Sequence, residues 1–314
     1  MQIARAHVCL MLLLAVVAGC ATVPYRYDPE IEQARTLKLR EGEPQIERGK
    51  PKWLLDGAGH YVFSLPTKLI LWSWKADNHK ISPDTEEALR RYVAENGLKN
   101  VKVRLNEYAP GDEYRRLFHN KDVGGFWRYT LGILSVTIYT ILPDRLFAGL
   151  IGGDSYNPYT NTIHIYSDHP AILLHEPGHA KDFAKQDYKG SYAAIAIVPF
   201  VCLHHEGEAT GDVIGYYIDK GYTAEQKRAY KILYPAYGTY VGGEGAQLFA
   251  GPITYAGTAI GALVGHVAGR IAAGKVDDNA AQPAPGQGKP GEGKAEAEKP
   301  AAGRDGPQKF DGSK

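Results

Sequence analysis

Apolar and polar residues alternate most regularly at residues 101–106, where Val101, Val103 and Leu105 are separated by Lys102, Arg104 and Asn106. A repeat of two puts one set on each face of an extended chain, so this segment predicts a half-buried strand. Just upstream, Ser82-Pro83-Asp84-Thr85-Glu86 supplies an N-cap serine, a proline for the first helical position and acids for the first turn. Asn96-Gly97 supplies the stop, and together these signals predict a helix. Residues 156–161 (Tyr-Asn-Pro-Tyr-Thr-Asn) read as a turn, and residues 162–166 (Thr-Ile-His-Ile-Tyr) as a β-branched, aromatic strand. Helices and strands in this order predict an α+β fold.

Four apolar stretches stand apart from this pattern. Residues 129–142, 146–153 and 191–203 are each too short for an easy bilayer crossing and read as buried elements or membrane-facing patches. Residues 248–269 carry no formally charged residue and place Gly257, Gly261, Gly265 and Gly269 at a strict spacing of four. Such a glycine zipper lets helices approach closely. It suits a membrane-crossing hairpin or helix, a self-association face, or a helix packed in the core. Glycines weaken a soluble helix unless close packing compensates, which favours membrane association. Residues 274–314 are rich in Pro, Gly, Ala, Lys, Glu and Gln and have almost nothing to bury, so a disordered tail is expected.

The amino terminus adds a destination. Arg5 precedes an apolar run at residues 8–17, and Val17-Ala18-Gly19-Cys20 ends in cysteine after small residues. This resembles a bacterial lipobox. The resemblance implies removal of residues 1–19, acylation of Cys20 and a polar tether over residues 20–50. Ala21 and Thr22 stand where an aspartate would retain a lipoprotein at the inner membrane, so the outer membrane, facing the periplasm, is implied. Of the three cysteines, Cys9 goes with the signal and Cys20 takes lipid, leaving Cys202 unpaired and no disulfide expected. The formal charge of +1 falls to 0 once residues 1–19, which hold Arg5 and no acid, are gone. Such a balance gives no electrostatic case for a nucleic-acid partner.

His175-Glu176-Pro177-Gly178-His179 carries the chemistry. Two histidines four apart share a helix face and can grip one metal ion, and the glutamate after the first can deprotonate water held there. Downstream, Glu208 offers a third, carboxylate ligand, with Asp212 one turn further to orient a ligating imidazole. Glu206 is the rival ligand, but Thr210 rather than an acid stands four residues after it. Over residues 175–212 the chain resembles the gluzincins, zinc metallopeptidases that share HExxH followed by a helix bearing Glu-x-x-x-Asp. The resemblance implies a zincin-like domain at residues 51–245, with the strand before the active-site helix as the sheet edge that holds an extended substrate, while the residues alone equally allow a core strand there. It also implies Zn2+ on His175, His179 and Glu208, Glu176 as general base, Asp212 behind the ligands and a peptide or protein substrate. Tyr234, Tyr237 and Tyr240 are candidate transition-state donors.

Pro177 departs from that pattern, since a proline inside a helix removes a hydrogen bond and crowds the preceding turn, at a cost of about 3 kcal/mol. Either the helix begins near Leu174 with Pro177 in its first turn, or it begins at Asp168 and is kinked at the site. The run Ser167-Asp168-His169-Pro170, which reads as a cap, favours the second. Two further classes therefore stay open: a zinc-holding but catalytically silent envelope protein, and a structural lipoprotein without metal.

Overall fold

A computed structural model describes residues 36–147, 153–198, 201–247 and 253–277. The signal, Cys20 and nearly all of the tail lie outside the described residues, as do parts of the stretches at 146–153, 191–203 and 248–269. The architecture is α+β. One small sheet has the order β1 (Ile46–Arg48), β2 (Lys102–Leu105), β4 (Thr162–Ile165), β3 (Ser155–Asn157); β1, β2 and β4 run parallel and β3 antiparallel to β4. In chain order the helices used below are α1 (Trp53–Ala58), α2 (Leu65–Leu71), α3 (Pro83–Glu95), α4 (Pro110–His119), α5 (Ile133–Ile141), α6 (Pro170–Ala184), α7 (Lys189–Ala196), α8 (Val201–Asp219), α9 (Thr223–Gln247) and α10 (Ile253–Gly274).

The period-two pattern at residues 101–106 becomes β2, but both of its faces are buried. Val103 and Leu105 face a core shared with Ile163 and Ile165 of β4, Leu89 and Tyr92 of α3, and Leu173 and Leu174 of α6. Lys102 and Arg104, expected in water, are buried instead, Arg104 against α4 and Lys102 against β1 and the residues before it. Arg104 Nε donates to Glu113 at 2.9 Å and a second guanidinium nitrogen meets Asp112, while Lys102 Nζ lies 2.8 Å from Glu47. Alternation identified the polar face without revealing that α4 and β1 bring counter-charges to cover it, the condition under which buried cations are tolerated.

The helix α3 begins at Pro83 as its cap sequence predicts, and Gly97 takes a left-handed φ of 65° at its end. Asp168, however, caps α3 and not its own helix: its carboxylate accepts from the Ser82 N–H at 2.9 Å and from Ser82 Oγ at 2.7 Å. Helix α6 starts at Pro170 after His169 and runs through Pro177, so the longer of the two expected helices forms, two residues later than Asp168. Of the two readings of residues 162–166, the core strand forms and the sheet edge does not. The strand at residues 162–166 sits inside the sheet as β4, and the edge is β3, which returns antiparallel through a turn in which Asn161 is left-handed at φ 51°.

The glycine zipper is occupied within the chain. Along α10, Gly257, Gly261, Gly265 and Gly269 lie against the backbone of α9, and a Cβ at Gly261 would stand 2.0 Å from the Gly238 carbonyl oxygen. This face is closed to a second copy. The two helices then join the main core through Tyr230, Leu233, Tyr234 and Ala273. A methyl group at Gly261 has no room without separating two helix backbones, so Gly261→Ala should destabilise the fold by about 1–3 kcal/mol. The check is the midpoint of urea unfolding, lowered at constant slope; an unchanged midpoint would contradict the helix contact.

Candidate metal centre

Helix α6 carries His175 and His179 one turn apart, so their rings meet edge to face, with centroids 4.7 Å apart at 89°. The two Nε2 atoms are 3.1 Å from one another. Helix α8 crosses α6 at this level because Gly178 has no side chain: a Cβ there would lie 3.1 Å from Ala209 Cα and 3.3 Å from Ala209 Cβ. That crossing delivers Glu206, whose Oε2 is 3.0 Å from His175 Nε2 and whose Oε1 is 3.7 Å from His179 Nε2. His175, His179 and Glu206 form a group whose ligand atoms all lie within 4.8 Å of one another.

The separations suit a cation. Ligand atoms at roughly 2.0–2.1 Å from a tetrahedral ion lie about 3.3 Å from one another, close to the observed spacing. The protonation states suit metal ligation at His179 and Glu206 but not at His175, where burial is outweighed by the hydrogen bond and charge of Glu206, which raise the imidazole above its ordinary value. Burial, with the neighbouring His175 adding to it against the Glu206 charge, pushes His179 down to about 4 and leaves it a neutral imidazole. Burial opposes ionisation of Glu206, yet the His179 and His175 rings hold its carboxyl below the ordinary range. A neutral imidazole and an ionised carboxylate are the forms that ligate metal. His175 Nδ1 is buried with no hydrogen-bond partner among the described residues, so only its Nε2 side is engaged.

The carboxylate that joins the two histidines is therefore Glu206, and Glu208 does not join them. Two residues further along α8 is about 200° round the helix, and Glu208 sits by Tyr192, whose phenol its charge helps keep protonated. Asp212 is not behind a ligating imidazole either. It accepts from Lys181 Nζ at 2.5 Å and from the Tyr92 phenol, tying α8 to α6 and α3. The carboxylate near the histidines is Asp182, one turn beyond His179 on α6; it accepts from Tyr192 at 2.7 Å and pairs with His205 Nδ1 at 3.2 Å. Neither Asp182 nor His205 was singled out by motif. Helical spacing alone carries the signal, since 175, 179 and 182 share one face.

Glu176 is buried on the same wall, its carboxylate accepting the Tyr156 backbone N–H from β3. Burial raises it to about 8, with Asp154 and Glu206 reinforcing the rise and His175 opposing it. A cation held by the three ligands would favour its charged form. Together these groups line a cavity of about 820 Å³ whose remaining walls include Leu131, Leu134, Ile138, Ile172 and Leu233. Of the three candidate tyrosines, Tyr234 belongs to the core, and Tyr237 lines the cavity but donates to the Leu203 carbonyl at 3.2 Å. Tyr240 lines the cavity at its exposed rim, where the Glu206 charge keeps its phenol protonated.

Comparison with known proteins finds no matching protein-family profile, no matching curated protein and no matching solved structure. The site is accordingly defined by its own geometry. That geometry sets the two glutamates of α8 against each other: Glu206→Ala should abolish stoichiometric zinc binding, as should His175→Ala, while Glu208→Ala should retain it. Elemental analysis after dialysis against zinc reads the difference, and loss of metal in Glu208→Ala with retention in Glu206→Ala would reverse the assignment.

Proposed function

We propose that this chain is a zinc-dependent peptidase of the bacterial envelope, zincin-like in its use of an HExxH helix and a sheet edge, and tethered by a lipidated Cys20. The observation that carries the reading is the convergence of His175, His179, Glu206 and Glu176 on one wall of the 820 Å³ cavity. Three protein ligands leave a fourth position free, the arrangement of a catalytic rather than a structural zinc site. The gluzincin likeness rests on HExxH alone once Glu206 is the ligand, because Thr210 occupies the place of the aspartate.

A zinc ion in this cluster would make water acidic near neutral pH and polarise a substrate carbonyl. The protein groups then divide the remaining work. Glu176 stands beside the ligands on α6 to take a proton from water and return it to the leaving amine. Its bond from the Tyr156 N–H fixes the carboxylate at the inner side of β3. Strand β3 is the sheet edge and lines the cavity with Ser155, Tyr156 and Asn157, so an extended peptide can pair main chain to main chain along it. Tyr240 offers a phenol across the cavity to an oxygen that gains charge. Asp182 holds His205 at the cavity wall.

A second reading, a zinc-holding but silent protein, is favoured by Pro177, which lies inside α6 between the two histidines and deprives the Leu173 carbonyl of its helical donor. One experiment separates the two. Full-length, zinc-loaded protein should cleave an unfolded protein substrate, and Glu176→Gln should keep its zinc while losing about 10²–10⁴-fold in rate. Absence of cleavage by the zinc-loaded wild type favours the silent reading, and equal cleavage by Glu176→Gln excludes the proposed base. The anchor is tested separately: labelled palmitate should enter the wild type and not Cys20→Ser, and equal labelling would remove the lipoprotein assignment.

A further inference from the structure

Three of the four apolar stretches that the sequence leaves without a role, at 129–142, 191–203 and 248–269, come together around the cavity. Ile138 of α5, Ile197 after α7, Tyr240 of α9 and Thr258 of α10 all line it, with Ile70 of α2 between them. Ile138, Ile197 and Tyr240 are also exposed on its rim, Ile197 to 72%. Beyond the rim the apolar surface continues. On α10, Ile260, Leu263, Val267 and Ile271 face away from the glycine zipper and into solvent, Val267 at 61%. On the segment from α1 through α2, Trp53, Leu54, Leu69, Trp72 and Trp74 are exposed, Trp53 at 85%. The two surfaces are joined, because the Trp72 ring stacks on His266 of α10 at 3.9 Å and lies under the Arg270 guanidinium at 4.7 Å.

The exposed charges at the edge of this surface are cationic, Lys75 at 59% exposure beside Asp168 at 3.8 Å and Arg270 over Trp72, whereas Lys68 is buried and bonded to the Asp77 carbonyl. Residues 57–76 contain Lys68 and Lys75 and no acid; residues 128–143 contain Arg128 and no acid; residues 190–203 contain no charged residue; and residues 253–276 contain Arg270 and Lys275 and no acid. Asp56, the acid nearest the first of these, is neutralised by Arg145 at 2.7 Å. An apolar surface bearing tryptophans and tyrosines, edged by cations and with its neighbouring carboxylates Asp56 and Asp168 ion-paired, matches the interfacial region of a bilayer with anionic headgroups. A soluble protein rarely leaves so much contiguous apolar surface in water without a partner. The lipobox supplies the neighbour: from Cys20 to Thr36, the first described residue, the chain can reach at most roughly 55 Å, which keeps the body beside the membrane.

We infer that the face formed by α1, α2 and α10, together with the cavity rim, rests on the surface of an anionic lipid bilayer, so that the cavity opens toward the membrane. The inference takes the nearness of a bilayer from the lipoprotein reading and is independent of zinc and of Glu176. Helix α10 lies along the surface and does not cross it, since one side is held by α9 through the zipper. A substrate would then reach the ligands from the lipid side, presenting an apolar segment to an apolar entrance.

The chain's own tryptophans report on this contact. Trp53, Trp72 and Trp74 are on the face, and the fourth, Trp127, is half-buried with its Nε1 bonded to Ser191 at 3.0 Å. Full-length acylated protein in phosphatidylethanolamine and phosphatidylglycerol vesicles should show tryptophan emission quenched when the acyl chains are brominated, relative to unbrominated vesicles. Leu263→Glu with Val267→Glu, and separately Leu54→Glu with Leu69→Glu, should lose that quenching while the protein stays on the vesicles through Cys20. His175→Ala and Glu176→Gln should quench like wild type, which separates this test from that of the peptidase. Equal emission in brominated and unbrominated vesicles, with the protein still vesicle-bound, overturns the inference. So does chemical cross-linking of two chains through this face in place of quenching, which would identify a second copy as its occupant.

Discussion

The whole site depends on the close crossing of α6 and α8 at Gly178. With Ala209 pressed where a side chain would be, the two helix backbones come near enough for Glu206 to reach both imidazoles. The same approach takes Glu176, His205 and Asp182 out of water. Burying three carboxylates and three histidines together is unfavourable unless they are paired or bound to an ion. The arrangement answers part of this cost internally: Asp182 pairs with His205 and Tyr192, and Asp212 with Lys181. At the centre itself His175 Nε2 meets both Glu206 and His179 Nε2, a chain of contacts that a cation held by the same three atoms would replace.

Much of this was legible in the chain, and the parts that were not have definite causes. The caps of α3, the period-two signal of β2, the strand at β4 and the paired histidines all express local chemistry, so they could be read directly. The choice between Glu206 and Glu208 could not, because both lie on the same predicted helix and the register is set by contact with α6. The helix does hold the answer: Glu206, Ala209 and Val213 share one face, and Ala209 and Val213 are buried against the neighbouring helices. The Glu-x-x-x-Asp spacing pointed instead to Glu208 and Asp212, and Asp212 proves to be a tie between helices. The edge of the sheet was missed because β3 has only the three residues Ser155–Asn157, too few for a periodic signal.

The apolar stretches show the same division between local and tertiary information. Their hydrophobicity is plain in the sequence, but only the fold places three of them around one opening. The glycine zipper is the clearest case. Its spacing announced a close helix contact, and α9 makes that contact within the chain, which leaves the opposite side of α10 apolar and uncovered. Burial of glycine and exposure of leucine on one helix is a reversal of the usual order. It is consistent with a body that meets water on one side and lipid on another.

The central claim is that His175, His179 and Glu206 hold one divalent metal. X-ray absorption at the zinc edge of the full-length, zinc-loaded protein tests it most directly, since imidazole rings leave a distinctive outer-shell scattering pattern. The account predicts one zinc per chain with two imidazoles and oxygen ligands at about 2.0–2.2 Å and no sulfur. A spectrum with fewer than two imidazoles, or with a sulfur ligand from Cys202, would contradict it.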